Sequence, residues 1–209
     1  MIFRRLLQRT PWYGSYKSLG HYPDYCWWLL RGKPVRSPHL LKQRAVREYA
    51  AKFGLYTLVE TGTYYGEMVA AVKDAFERIY SVEFDARLAT LARKRFARFP
   101  HIQILQGDSQ TVVPGLLPLL RQPALFWLDA GYYGWAGLQG DNRRLSSELD
   151  AILRHPLFRH VILLDDARGL NGQNGAPTVA ELKSDIESEF PGRRVDLEHD
   201  ILRITPTPS

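Results

Sequence analysis

The sequence predicts an α/β protein with a Rossmann-like, doubly wound sheet of seven strands, mostly parallel and finished by an antiparallel C-terminal hairpin strand. Three observations predict it. From residue 55 onward, short apolar runs alternate with segments of helical periodicity, and no long linker interrupts them. The runs are continuously apolar, as strands covered on both faces are. The last stretch, RRVDLEHDILRITP, holds two strand-like pieces around His199–Asp200 with no room for a helix between them.

Each element can be read in turn. SPHLLKQRAVREYAAKFG reads as a helix with Ser37 as its cap, Pro38 in its first turn and Gly54 as its stop. LYTLVETG is the first strand, and Met68, Val69, Val72 and Phe76 then recur at helical spacing. RIYSVEF is the second strand, followed by a helix with Leu88, Leu91, Ala92, Phe96 and Phe99 on one face. HIQILQG is the third, and SQTVVPGLLPLLR a helix broken by Pro114 and Pro118. ALFWLDA is the fourth strand, Leu145, Leu149, Ile152 and Leu153 mark the next helix, and HVILLDDA is the fifth strand. A capping box, Thr178 to Glu181, opens the last helix, which carries Val179, Leu182, Ile186 and Phe190. Repeated β-α units with short crossovers give a parallel sheet with helices on both faces.

With 209 residues, 45 % of them hydrophobic, the chain is long enough for one sizeable core. The organisation expected is a basic, aromatic-rich N-terminal extension over residues 1–53, ending in the helix above, and a body over residues 54–209. The net charge of +6 is uneven: up to residue 53 there are 11 Lys/Arg against Asp24 and Glu48, so the extension carries +9 and the body −3. Such an arm suits an anionic partner, or packs its tryptophans on the body. Cys26 is the only cysteine, which excludes an internal disulfide and a thiolate zinc site. YCWWLL is too short for a membrane span and MIFRRLLQRT does not read as a secretory signal, so a cytoplasmic protein without a membrane span is expected.

The polar residues of the body collect where the strands end: Glu60 to Gly66, Glu83 and Asp85, Asp108 to Gln110, Asp129, and Asp165 with Asp166. Helix caps put acids at such places in any α/β protein, but five clusters at five consecutive strand ends point to a ligand site. GTYYG supplies Gly62 and Gly66 only, with bulky Tyr64 where a dinucleotide site needs close backbone approach. Glu60 beside a phosphate would be repelled by on the order of a few kcal/mol. S-adenosylmethionine, with an ammonium, a sulfonium and no phosphate, suits an acidic turn. Glu83 stands where an acid accepts both ribose hydroxyls.

VETGTYYG, YSVEFD, GDSQTVVP, FWLDAGY and ILLDDA, in this order, resemble the class I S-adenosylmethionine-dependent methyltransferases over residues 55–168. They look most like the metal-dependent O-methyltransferases of the catechol, caffeoyl-CoA and macrocin type. The resemblance implies a methyltransferase-like catalytic domain in which Glu60, Thr61, Gly62, Thr63, Tyr64 and Gly66 face the methionine part of the cofactor. It places Glu83 at the ribose, Asp108, Ser109 and Gln110 at the adenine, and Asp129 beside the cofactor. It also places Asp129, Asp165 and Asp166 as ligands of Mg²⁺ or Mn²⁺, an oxygen-only site that would fix and acidify an acceptor hydroxyl.

The departures concern the base. A lysine that catechol-type enzymes carry three residues after the first aspartate is here Tyr132, and a histidine that related sequences show two residues after it is Gly131. Tyr132, beside Asp129, is the candidate base if its pKa is strongly lowered. His160 is expected to be structural and Arg168 to pair with the acids before it. The glycine-rich loops AGYYGWAGLQGDN and ARGLNGQNGAP are expected to wall the acceptor pocket. The expected function is methylation of an oxygen on a small hydroxylated acceptor: a sugar, a glycan precursor or a phenolic compound. Two alternatives stay open: a nucleic-acid methyltransferase using the basic arm, although no NPPY-like or DPPY-like stretch follows the fourth strand, and a non-catalytic cofactor-binding member of the fold. A homodimer also stays open.

Overall fold

The structure is a computed structural model and describes residues 23–32, 34, 36–129, 145–157, 159–173 and 175–207. Residues 23–30 form helix α1, and α2 spans His39–Phe53. The body follows as β1 (Thr57–Thr61), α3 (Glu67–Val72), β2 (Arg78–Glu83), α4 (Ala86–Phe96), β3 (Ile102–Gln106), α5 (Ser109–Leu116), β4 (Leu125–Asp129), α6 (Ser147–Arg154), β5 (Val161–Asp165), α7 (Val179–Glu189), β6 (Arg193–Glu198) and β7 (Ile201–Pro206). The seven strands lie in the order β3-β2-β1-β4-β5-β7-β6. β1 to β5 are parallel, and β7 runs antiparallel to both β5 and β6. The order reverses at β1 and β4, which pair directly. Among the described residues no helix is long and apolar enough to cross a membrane.

Each face of the sheet carries its own core. Val59, Phe126, Leu128, Ile162 and Leu164 pack with α5, α6 and α7 on one face. Leu58, Ile79, Leu125, Trp127 and Leu163 pack with α2, α3 and α4 on the other. In β5 every residue is buried, and in β1 all but Thr57, as continuous apolar runs require. α2 is therefore a core helix: Ala45, Val46 and Ala50 belong to the second cluster, with Val46 fully buried. The stretch expected to end a peripheral extension instead covers the sheet at β4 and β5.

Most local signals act as expected. Gly54 closes α2 in the left-handed conformation, at φ 62°. Thr178 and Glu181 form the reciprocal capping box of α7. His199 and Asp200, at φ 52° and 60°, turn the β6–β7 hairpin with the two positive φ angles of a tight type I′ turn. Three expectations need correction. Ser37 does not cap α2: its hydroxyl donates to the His199 carbonyl at 2.6 Å, and Pro38 occupies the cap position. The helix after β1 ends at Val72, passing through a short 3₁₀ turn, so Phe76 is buried from extended backbone. Pro114 lies inside α5, and the chain tightens only afterwards into a 3₁₀ turn containing Pro118.

Because α2 supplies core, deletion of residues 1–53 is expected to yield a protein without a cooperative unfolding transition. Val46→Ala should lower stability by about 1 to 3 kcal/mol. Urea denaturation of both variants checks this, and a folded, cooperative 54–209 fragment would contradict it.

Candidate functional site

The carboxyl ends of the parallel strands carry two polar assemblies, one on each side of the strand reversal. The first is built on the turn after β1. Gly62 and Thr63 both donate their backbone N–H to the Val82 carbonyl, at 2.9 and 3.1 Å, which lashes the turn to the end of β2. Tyr64 takes a left-handed φ of 51°, and its N–H donates to Glu83 Oε2 at 2.6 Å. Gly66, at φ 71°, opens α3; a Cβ there would meet the Phe96 ring at 2.5 Å, so only glycine fits.

Glu83 is the centre of this assembly. It is buried at the end of β2. Oε2 takes the Tyr64 N–H, and Oε1 takes the Asp85 N–H at 2.9 Å. A carboxylate oxygen has two lone pairs, so each oxygen keeps one further acceptor position. Two adjacent acceptor oxygens held in fixed orientation match a vicinal diol. Tyr64 (59 % exposed), whose N–H bonds to Glu83, and Phe84 (70 % exposed), the residue after Glu83, present exposed aromatic rings. Phe84 lies within the YSVEFD motif, but only its exposure beside Glu83 marks it.

Other predicted residues are partly local in role. Asp85 caps α4 by accepting from the N–H groups of Arg87 and Leu88. Asp108 caps α5 by accepting from Gln110 N–H at 3.0 Å. Ser109 begins that helix, and Gln110 Oε1 accepts from Ser147 Oγ of α6 at 3.1 Å. Thr61 is buried at the end of β1.

Glu60 corrects an expectation. It was read as a free carboxylate at the mouth of the turn, but it is 2 % exposed and its carboxyl accepts from the Ser81 hydroxyl. Ser81 in turn shares a 2.6 Å hydrogen bond with Thr63 Oγ1. Burial pushes the Glu60 carboxyl up from its ordinary 4.5 to about 8, with the charge of Glu83 adding to the rise and Ser81 opposing it. At neutral pH Glu60 is mainly a neutral brace beneath the turn.

The second assembly sits at the tip of β5. Lys42, from α2, donates to Asp165 Oδ2 at 2.7 Å and to Asp166 Oδ1 at 2.8 Å. Arg168 donates to Asp166 Oδ1 at 2.9 Å and also pairs with Asp200 of the β6–β7 turn. Asp166 itself has a left-handed φ of 52° and donates its N–H to Asp165 Oδ1 at 2.8 Å. Burial pushes the Asp165 carboxyl up to about 6, a rise that Lys42 limits. Burial also works on Asp166, but Lys42 and Arg168 outweigh it and hold that carboxyl below its ordinary range. Lys42 stays charged, because the two aspartates overcome its burial and raise its pKa.

Asp129 ends β4, with its Cα in register with that of Asp165. Tyr132 and the loop 130–142 lie outside the described residues. His160 sits at the far end of the sheet, fully buried, where Nδ1 accepts the Ala124 N–H at 2.9 Å; burial lowers its pKa to about 4, consistent with a structural neutral imidazole.

Two of the three expected metal ligands, Asp165 and Asp166, already hold a cation. Among the described residues no group of three His, Cys, Asp or Glu is arranged to hold an ion. More decisively, the lysine ammonium already stands 2.7 and 2.8 Å from the oxygens of Asp165 and Asp166. Mg²⁺ binds oxygens at about 2.0 to 2.1 Å, so an ion shared by these carboxylates would share their lone pairs with, and be repelled by, that ammonium. Nothing in its own stretch marks Lys42, which lies 123 residues from Asp165.

Comparison with solved structures fixes the fold. The S-adenosylhomocysteine-bound methyltransferase PaMTH1 of Podospora anserina superposes with a TM-score of 0.57 at 18 % identity, over 80 % of this chain and 79 % of that one. The O-methyltransferase TomG of Streptomyces achromogenes, in complex with S-adenosylmethionine, gives 0.56 at 13 % identity, over 80 % of each chain. The 23S rRNA methyltransferase ErmE gives 0.51 at 18 % identity, over 79 % of this chain and 68 % of that one. The chain has the class I S-adenosylmethionine-dependent methyltransferase fold. No family model and no curated protein matches the sequence. In the methyltransferase fold, as in any open doubly wound sheet, ligands lie beyond the carboxyl ends of the strands at the reversal of strand order. That is where Glu83, the Gly62–Gly66 turn and the β4 and β5 tips are found.

The sign of the Glu60 effect gives a stability test. A carboxyl raised in the folded state contributes stability that is complete below 4.5 and is lost as pH rises through about 8. Glu60→Gln, which cannot ionise, should therefore gain on the wild type across this window, by at most about 1.4 kcal/mol per pH unit. Denaturation midpoints from pH 4 to 9 check it; a constant gap between the two proteins would show that Glu60 is ionised throughout.

Proposed function

We propose that the chain is an S-adenosylmethionine-dependent methyltransferase acting on an oxygen of a small hydroxylated acceptor, a sugar, a glycan precursor or a phenol. The observation that carries the reading is Glu83: two carboxylate oxygens, each fixed by one backbone N–H and each with a lone pair to spare, at the end of β2 in this fold. The turn after β1 supports a nucleoside without phosphates. Tyr64 puts a large side chain where a pyrophosphate needs bare backbone, and Glu83 supplies a negative charge beside it.

When bound, S-adenosylmethionine supplies an electrophilic methyl group on a sulfonium. Glu83 holds the ribose, and the rings of Tyr64 and Phe84 provide apolar surface for the nucleoside. Asp108, Ser109 and Gln110 border the adenine, while Thr61, Gly62, Thr63 and Gly66 shape the backbone facing the methionine part. Asp129, which ends β4 in register with Asp165, is proposed to act on the acceptor oxygen, with Tyr132 as the proposed base. The bound cofactor would supply the methyl group, and Asp129 with Tyr132 would take the acceptor proton. The O-methyl acceptor class is supported by the ordered motifs and by the likeness to TomG. The basic-arm alternative is weakened, because Lys42 is spent on Asp165 and Asp166 and Arg47 donates to the Ala71 carbonyl.

Isothermal calorimetry with S-adenosylhomocysteine tests the reading. The wild type should bind it, and Glu83→Ala should weaken binding about 10- to 100-fold, the equivalent of one or two charge-assisted hydrogen bonds. Absence of binding by the folded wild type overturns the reading.

A further inference from the structure

Lys42 alone belongs both to the ion network at the β5 tip and to the cavity beside it. That cavity, of about 610 Å³, is bordered by Trp27, Trp28, Arg31, Arg36, His39 and Lys42, a size that suits a small molecule. Its walls are fixed to the body. Trp28 is buried, donates Nε1–H to the Pro34 carbonyl at 2.7 Å and meets the His199 ring edge-on at 5.6 Å. Ser37, also on the lining, donates to the His199 carbonyl.

We propose that Lys42 is the built-in cation of this site: its ammonium holds Asp165 and Asp166, two of the carboxylates that the resemblance assigns to a divalent ion, and the site works without a metal. The inference rests on the methyltransferase reading for what the site does, but its physical content is independent of that reading. Two of the three N–H groups of the ammonium are taken by Asp165 and Asp166, and the third is left for an oxygen of a molecule in the cavity. Like a metal, the ammonium neutralises the strand-tip carboxylates and offers a positive point for an acceptor hydroxyl. Unlike a metal, it is covalently part of α2, so it cannot be removed by a chelator. Lys42 is thus an acceptor-positioning group, its ammonium held in place by Asp165 and Asp166.

The test is Mn²⁺ binding to the full chain, followed by electron paramagnetic resonance and calorimetry, for wild type, Lys42→Met and Lys42→Arg. S-adenosylhomocysteine binding is measured in the same samples with and without EDTA. Removing the ammonium while leaving Asp165, Asp166 and Asp129 in place should create a metal site. Lys42→Met is therefore expected to bind Mn²⁺ about tenfold or more tightly than wild type, and Lys42→Arg, which keeps the charge, to behave as wild type. If Lys42→Met does not fold, the wild type and Lys42→Arg decide alone: saturable Mn²⁺ binding by either that Asp165→Asn abolishes overturns the proposal. So does equal Mn²⁺ affinity of wild type and Lys42→Met, or methyl transfer by wild type that EDTA stops and Mn²⁺ restores. Failure of S-adenosylhomocysteine to bind sinks the methyltransferase reading instead, and leaves the metal comparison to decide the role of Lys42.

Discussion

The reversal of strand order between β1 and β4 is the constraint on which the functional geometry depends. These neighbours are parallel and paired, yet their helices leave toward opposite faces: α3 packs in the core with Leu58 and Trp127, and α6 in the core with Val59 and Phe126. Two chains that part in this way leave a crevice beyond the strand tips that neither covers. The turn after β1 and the tips of β2, β4 and β5 all lie at this end of the sheet.

The acids around that crevice are alike in type and unlike in state, and their immediate partners make the difference. Glu83 receives two backbone N–H groups, donors that favour an ionised carboxylate. Glu60 receives a hydroxyl in a buried position, and burial favours its neutral form. Asp165, Asp166 and Asp200 are balanced by Lys42 and Arg168 across three segments of chain. The two sides of the reversal therefore differ in kind. One presents a carboxylate with acceptor positions to spare, and the other is a network of ion pairs with an ammonium at its edge.

What the sequence made legible was local. Continuous apolar runs located all five parallel strands within a residue or two, because burial on both faces leaves no polar alternation to confuse them. The hairpin at His199–Asp200 and the capping box at Thr178 were likewise written in a few neighbouring residues. Three misreadings were long-range. Ser37 had the composition of a cap, but an acceptor 162 residues away took its hydroxyl. Glu60 was given the charge of an exposed carboxylate, because nothing in its own stretch reveals that Ser81 and the turn cover it. Lys42 looked like one cation among the 11 of a basic arm, and its two partners stand more than 120 residues later. Hydrophobic periodicity is a property of one segment, whereas an ion pair is a property of two segments that only the fold brings together.

This separation explains why residues 23–53 should not be regarded as an appendage on a self-sufficient body. Trp28 and Ser37 both hold the β6–β7 turn at His199, Lys42 holds the β5 tip, and Ala45, Val46 and Ala50 cover β4 and β5. All four attachments converge on the corner of the sheet where Asp165, Asp166 and Asp200 are crowded together. Without α2, the first two of these acids would lose their cation in a partly buried setting, a loss of about 3 to 5 kcal/mol when such a pair is broken from one side. The helix that completes the core on this face is therefore the same one that makes its charges tolerable. Packing and electrostatics at the β5 tip are one arrangement: a sequence change that loosened α2 would disturb the charge balance of the crevice even if it touched no residue facing it.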